Sequence, residues 1–274
     1  MGHPPGPRPG PRPVPRQAGD GLSAEHLARL GLDGPPSVDA DGLRALQRAH
    51  LRTVPFENLD IHLGTPIVLD LDALLAKIVG RHRGGFCYEL NGTFAALLED
   101  VGFDVTLLEA RVYGEGGEVS IRFDHLCLAV DLDEPWLADV GFGASFDEPL
   151  RLVPGVDQED PAGTFRIESR DDGWLDLLMN GEPQYRFSRE PRALADFASG
   201  CAYNQSSPDS HFTQNTVCTL RTESGRVTVY SRTLVETIDG ERSEQELEPD
   251  ELRAVFRDHF GIALTEAEAA RLAA

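Results

Sequence analysis

The chain has 274 residues, with 25 lysines and arginines against 46 acids and a formal net charge of -21. That length buries a sizeable core and holds one large domain or a few subdomains. The charge excludes a nucleic-acid surface or an anionic membrane as a natural partner, because both demand basic patches. Four cysteines, Cys87, Cys127, Cys201 and Cys218, are too few and too scattered for a disulfide framework. No C-x-x-C pair points to zinc, so no metal site is expected. With no secretory leader pattern and no apolar run of membrane-span length, the expectation is a reduced, cytoplasmic protein.

Residues 1–20 are rich in Pro, Gly and Arg and cannot bury enough apolar surface to offset ordering, so a disordered tail is expected there. Residues 21–103 read as helical, with apolar periodicity in SAEHLARLGL, DGLRALQRAHLRTV, LDALLAKIVG and the segment after Cys87. Ser23 and Asp41 are the expected N-caps. Residues 104–200 read mainly as short strands with glycine turns, from VTLLEARVY through VSIRFDHLCLAV to GWLDLLMN, which suggests a barrel rather than an open parallel sheet. Residues 201–274 combine the strands TVCTLRT and RVTVYSRTLVET with a final helix, DELRAVFRDHF, as an α/β lid. The fold class is therefore α+β: helical bundle, β-barrel and lid.

The chemistry concentrates at Arg83-Gly84-Gly85-Phe86-Cys87-Tyr88-Glu89-Leu90-Asn91. Two glycines let the backbone approach closely just before a cysteine that opens a helix, with Leu90, Phe94, Leu97, Leu98 and Val101 following at helical spacing. Unpaired N–H groups and the helix dipole there favour negative charge, so the Cys87 thiol is expected to ionise easily. Glu89 complements the same helix end and is a support, not a base. A thiolate needs a base, and the base an orienting group. His125 lies in the strand Val119 to Asp131, sharing a face with Phe123, Cys127 and Ala129. Asp139 sits in the apolar stretch WLADVGFG, where an acid must find a partner, and a donating Nδ1–H of the histidine is a natural one. Cys87, His125 and Asp139 thus read as a catalytic triad. Cys127 lacks the glycine turn and the helix start and reads as core.

The segments RGGFCYELN, FDHLCLAV and WLADVGFG, together with Val54-Pro55-Phe56-Glu57-Asn58-Leu59, resemble the signature blocks of the arylamine N-acetyltransferases in order and spacing. The resemblance covers roughly residues 21–264. It implies a cysteine-protease-like Cys-His-Asp core, acetyl-CoA as co-substrate with no tightly bound cofactor, and an aromatic amine or hydrazine as acceptor. It also implies donor contacts at Gly141, Gly143 and Ser210, and acceptor contacts at Phe56 and Phe142; the alternative is a tight turn at the two glycines with the rings as buried anchors. The basic run Lys77, Arg81, His82 and Arg83 has two readings, a docking point for the anionic donor or a cationic helix end. Glu57, Asn58 and Arg83 read as structural polar groups that position the Cys87 loop. His26 stands where the family often has tyrosine. Two rival enzymes share the triad: a macrolactam-forming amide synthase of the same family, and a cysteine hydrolase or transglutaminase-like enzyme.

Overall fold

The computed structural model describes residues 22–273, so the tail expected over residues 1–20 lies outside the described residues. Helical periodicity is realised in α1 (Leu22–Arg29), α2 (Ala40–Thr53), α3 (Leu59–Leu63), α4 (Leu71–Leu75) and α5 (Cys87–Asp100). α2 buries one stripe, including Leu43, Leu46, Gln47 and His50, as an amphipathic helix should. α5 differs: 11 of its 14 residues are buried, which makes it a central helix rather than a surface one. α4 continues into a π-helical segment, Ala76–Gly80, that turns Lys77 inward.

The caps differ from the sequence reading. α1 already begins at Leu22, so Ser23 lies inside its first turn. The cap of α2 is Asp39, whose extended backbone lets its carboxylate accept from Gly42 N at 2.9 Å. Asp41 sits one residue inside the helix and pairs instead with Arg44 at 2.8 Å.

A short strand, β1 (Phe56–Glu57), follows α2. The next eight strands are β2 (Asp104–Val112), β3 (His125–Asp131), β4 (Pro135–Ala138), β5 (Leu150–Arg151), β6 (Asp157–Asp160), β7 (Gly163–Ser169), β8 (Leu175–Met179) and β9 (Glu182–Arg192). They form one antiparallel sheet in the order β5-β4-β3-β2-β9-β8-β7-β6. The sheet curls into a nearly closed barrel, and the side chain of Gln158 on β6 joins its two ends by bonding the Arg151 backbone of β5 at 2.7 and 3.0 Å. β3 is shorter than expected. Val119 keeps only an isolated bridge to Tyr113, and the chain then turns through residues 122–123, where Arg122 pairs with Glu109 and Asp124 accepts from Asn204. The alternation expected for β3 holds from its first residue. Cys127 joins the barrel core with Phe165, Tyr185 and Phe187, while Leu126, Leu128 and Val130 face the core that holds α5.

After a short 3-10 turn come α6 (Ala198–Ser206) and α7 (His211–Gln214), then β10 (Val217–Arg221), β11 (Gly225–Tyr230), β12 (Thr233–Ile238) and β13 (Glu241–Glu246). The expected single run over residues 226–237 is a hairpin broken at Ser231, which adopts φ 54. α8 (Leu252–Phe260) and α9 (Glu266–Leu272) share the apolar core of this region with Val227, Val229 and Leu234. β1 is the edge strand of this last sheet, pairing Phe56 with Thr219 and Glu57 with Cys218. The helical and C-terminal regions are thereby laced together directly beside the Cys87 loop.

Candidate active site

The loop before α5 is fixed by close approach. A Cβ on Gly84 would stand 2.0 Å from the Pro55 carbonyl oxygen, and one on Gly85 would stand 2.7 Å from the Glu89 side chain. Neither glycine has a positive φ, so what the position demands is the missing Cβ rather than an unusual turn. Hydrogen bonds from Gly85 N to Pro55 O and from Glu57 N to Gly85 O lock the loop against β1. Beneath it, Arg83 binds Glu57 at 2.7 Å and Asp60 at 3.2 Å, while Lys77 binds Glu89 at 2.8 Å and Asp60 at 2.9 Å. Buried acids hold both cations, and Lys77 also lies in the last turn of its helical segment. Glu57, Asn58 and Arg83 are positioning groups, as expected. Asn58 also donates to Phe212 O and Asn215 O and accepts from Val217 N, which ties down α7 and β10.

Glu89 does support the helix end, its carboxylate accepting from Phe86 N at 3.2 Å. Burial pushes that carboxyl up to about 7 against the pull of Lys77. Cys87 is the first residue of α5 and is 4% exposed. The expectation of an easily ionised thiol is not met in this resting arrangement. Burial first, and then the charge of Asp124, push the Cys87 thiol well above the ordinary range, and Sγ lies 3.7 Å from the Asp124 carbonyl as a donor. A thiolate here requires a cation formed alongside it.

His125 and Asp139 meet as expected, at 2.7 Å, but through Nε2 rather than Nδ1. With Nε2 donating to Asp139 Oδ2, Nδ1 is the ring nitrogen left to accept a proton. The imidazole is held edge-on against Phe142 and stacked at a tilt on Tyr185, with ring centroids 5.2 and 5.1 Å away. The other oxygen of Asp139 accepts from Asn91 Nδ2 and from Gly141 N, both at 2.8 Å.

Asn91 is the residue that sequence reasoning missed. It stands one turn after Cys87 on the same helix face and binds Asp139, the Leu126 carbonyl at 2.6 Å and Val140 N at 3.0 Å. One side chain therefore ties the nucleophile helix to the strand of the base and to the loop of the acid. Its spacing of four from Cys87 was the available signal. Gln47 of α2 adds a further bond, accepting from Asp139 N at 3.3 Å.

The two glycines past the acid play different parts. A Cβ on Gly141 would lie 2.8 Å from Cys87 Cα and 2.6 Å from Asn91 Nδ2, so this glycine lets the acid's loop touch the nucleophile's helix. Gly143 adopts φ +86, a left-handed conformation, and faces the Phe56 ring. Phe56 is 9% exposed and packs on Phe212 at 6.0 Å between centroids. Ser210 is buried, caps α7 through Phe212 N and donates to Asn204, so its hydroxyl is engaged within the chain. Cys127 is buried in the barrel core, as expected. A groove of about 710 Å³ lies between α1 and the end of α5, lined by Leu27, Gly31, Pro35 and Val101 among others, and no triad residue borders it.

A family model described as N-acetyltransferase matches residues 39–269. The chain is 34% identical to a pineal-gland arylamine N-acetyltransferase of Gallus gallus, over 88% of this chain and 93% of that one. It is 38% identical to the arylamine N-acetyltransferase of Mycolicibacterium smegmatis, over 76% of this chain and 80% of that one. Among solved structures, the Mycobacterium marinum arylamine N-acetyltransferase in complex with CoA superposes with a TM-score of 0.82 at 30% identity, over 91% of this chain and 97% of that one. Four sequence blocks, the fold around them and these likenesses agree: the chain is an acyltransferase enzyme and belongs to the arylamine N-acetyltransferase family.

Proposed function

We propose that this enzyme transfers an acetyl group from acetyl-CoA to an arylamine or arylhydrazine by double displacement, with Cys87 carrying the acetyl group between the two halves. The observation that carries the reading is the 2.7 Å contact of His125 Nε2 with Asp139, which leaves Nδ1 as the base. Nδ1 takes the thiol proton as Sγ attacks the thioester carbonyl, so that thiolate and imidazolium arise as a pair. Asp139 stabilises the imidazolium and fixes the ring. The Cys87 N–H, at the first helical position and without an intrahelical acceptor, is placed to stabilise the tetrahedral oxyanion. Coenzyme A leaves as a thiol with the proton from His125. The amine then attacks acetyl-Cys87, His125 takes the amine proton and returns it to sulfur, and the free enzyme is restored.

Phe56 and Phe142 are the proposed aromatic walls for the acceptor, and Gly141 and Gly143 line the passage of the donor. Ser210 acts in this reading by holding Asn204 rather than by touching the donor. The cysteine-protease-like character of the core is part of the same proposal. Support over the hydrolase rival comes from the VPFENL and DVGFG blocks, which have structural jobs at the Cys87 loop that a triad alone does not require. The test is an acetyl-transfer assay with a panel of arylamines. Cys87→Ser is expected to lose transfer while keeping the circular dichroism of the parent. Substantial residual transfer would remove the covalent role.

A further inference from the structure

Asp124 stands beside the nucleophile and has no part in the triad. Its backbone carbonyl lies 3.7 Å from Cys87 Sγ and accepts from the Tyr88 hydroxyl at 2.9 Å, which clamps the residue against the first turn of α5. It immediately precedes His125 and is half-buried, whereas Cys87 and His125 are buried. Phe123, just before it, adopts φ 58, a left-handed conformation that strains a phenylalanine, and its carbonyl accepts from the same Tyr88 hydroxyl at 2.8 Å. A Cβ on Gly200 of α6 would stand 2.0 Å from that carbonyl oxygen. The backbone is thus held to one course as it passes the sulfur.

The carboxylate is held as well, but through one oxygen. Ser210 Oγ donates to Asn204 Oδ1 at 3.0 Å, which turns the Asn204 amide nitrogen toward Asp124 Oδ1 at 3.0 Å and Tyr88 Oη at 3.1 Å. Among the described residues, Asp124 Oδ2 has no hydrogen bond and the carboxylate no cation within ion-pair distance. The cations of the region are already engaged. Arg122 and Arg192 both bind Glu109, at 2.6 and 3.4 Å, and Lys77 and Arg83 bind the acids under the Cys87 loop. Arg226 donates to the Gly143 carbonyl and to Thr219. After burial, the Asp124 charge is the largest influence pushing the Cys87 thiol up, ahead of that of Asp139. The sulfur therefore sits in the negative potential of a carboxylate that no step of the transfer uses.

We infer that Asp124 is a specificity-determining residue that selects acceptors by charge, favouring neutral and cationic arylamines and rejecting carboxylated ones. The inference rests on the arylamine reading above. The attacking nitrogen must come within about 3.5 Å of an acetyl carbon bonded to Sγ, so the acceptor's ring and substituents lie within reach of the Asp124 charge. A half-buried carboxylate acts there through a lower effective dielectric than water, and the net charge of -21 adds to it with the same sign.

The test uses the full chain and three acceptors of one shape: p-aminobenzoate, p-aminobenzamide and p-aminophenyltrimethylammonium. In a double displacement, kcat/KM for the acceptor reports the acetyl-enzyme half alone, and comparing variant with parent cancels the intrinsic reactivity of each amine. Asp124→Asn keeps an oxygen for Asn204 and removes the charge. At low ionic strength it should raise the benzoate-to-benzamide ratio of kcat/KM by about fivefold or more and lower the trimethylammonium-to-benzamide ratio. Asp124→Glu should hold both ratios near the parent, and salt at about 0.5 M should shrink the difference between parent and Asp124→Asn. Glu244→Gln, on the exposed strand β13, should leave both ratios unchanged, which separates the local charge from the net one. Asp124→Ser carries the same comparison if the asparagine variant does not fold. A loss of rate by the same factor for all three acceptors, or a benzoate ratio within twofold of the parent, would overturn the inference. The parent's turnover of p-aminobenzamide reads the acetyltransferase proposal separately, so the two failures are told apart.

Discussion

At the start of α5, buried polar groups come in matched sets. Asn91 uses both atoms of its amide, Asp139 uses both oxygens, and Lys77 and Arg83 share the carboxylates of Glu57, Asp60 and Glu89. Two turns further along the same helix, around Phe94, the pattern reverses. His50 packs edge-on against Phe94 at 5.3 Å, and His26 lies 6.4 Å from His50. Both ring nitrogens of His50, Nε2 of His26 and Nε2 of Gln47 are buried without a partner among the described residues. Gln47 belongs to both sets, since its oxygen reaches Asp139 N while its nitrogen has no partner among the described residues. The contrast teaches where this fold enforces a single geometry. A satisfied buried network fixes its members, whereas an unsatisfied one is tolerated as long as its histidines stay neutral.

The sharpest break of the matched side is Asp139→Asn. An amide can offer its oxygen either to the Asn91 and Gly141 donors or to His125 Nε2, but not to both. With the oxygen toward Asn91, the amide NH₂ faces Nε2 and selects the tautomer that carries its proton on Nδ1, which can no longer accept from sulfur. Acetyl transfer should fall by on the order of 10³ or more, and iodoacetamide should alkylate Cys87 more slowly at neutral pH. If the folded variant alkylates and transfers like the parent, the third triad member is misassigned.

A smaller loss is expected from Asn91→Ala. It leaves Val140 N and the Leu126 carbonyl unpaired and frees the Asp139 carboxylate to turn. We expect kcat to drop by about 10² with a modest change in KM, because the geometry of the reacting groups loosens rather than the binding surfaces. A stopped-flow comparison with Asn91→Asp and Asn91→Ser should rank them by how many of the three bonds each can restore. An Asn91→Ala enzyme with parental kcat would show that the triad holds its geometry without this residue.

The unmatched side predicts an effect on stability and little on rate. Burial lowers His26 to about 4 and also pushes His50 well below the ordinary histidine range. A folded-state pKa below the unfolded one means that the unfolded chain binds more protons between the two values, so stability is lost as pH falls from about 6.5 toward 4. For His26 the shift corresponds to about 3 kcal/mol. Glu89, raised to about 7, works in the opposite sense over its own range, so variant and parent are compared at each pH. His26→Phe should flatten the fall of Tm between pH 7 and pH 5 and leave kcat near the parent. An unchanged pH slope would mean that His26 is not titrating as a buried neutral group.

Much of this arrangement was legible in the sequence because it follows from local rules. The α5 periodicity, the glycine pair before Cys87 and the alternation of Leu126, Leu128 and Val130 against Cys127 are each set by near neighbours in the chain. What stayed hidden depends on partners far apart. Asn91 bonds Leu126, Asp139 and Val140, and its spacing of four from Cys87 places it on the right helix face without naming those partners. β9 carries Pro183 and Pro191 among charged residues, yet it is a central strand of the barrel, with Tyr185 and Phe187 buried. β13 is polar and exposed along its whole length and pairs with β12 as the edge of its sheet. The thiol was misjudged for the same reason: the helix start favours ionisation, but burial outweighs it, and burial is a property of the assembled molecule.

The claim on which the rest depends is that Cys87 carries the acetyl group. Purified enzyme incubated with acetyl-CoA, without an acceptor amine, should gain one acetyl group by intact mass, with peptide mapping placing it on Cys87. Addition of an arylamine should discharge it as the acetylated amine forms at a matching rate. Transfer that proceeds with no acetylated enzyme at any time, or with the label on Cys127, Cys201 or Cys218 instead, would contradict the account.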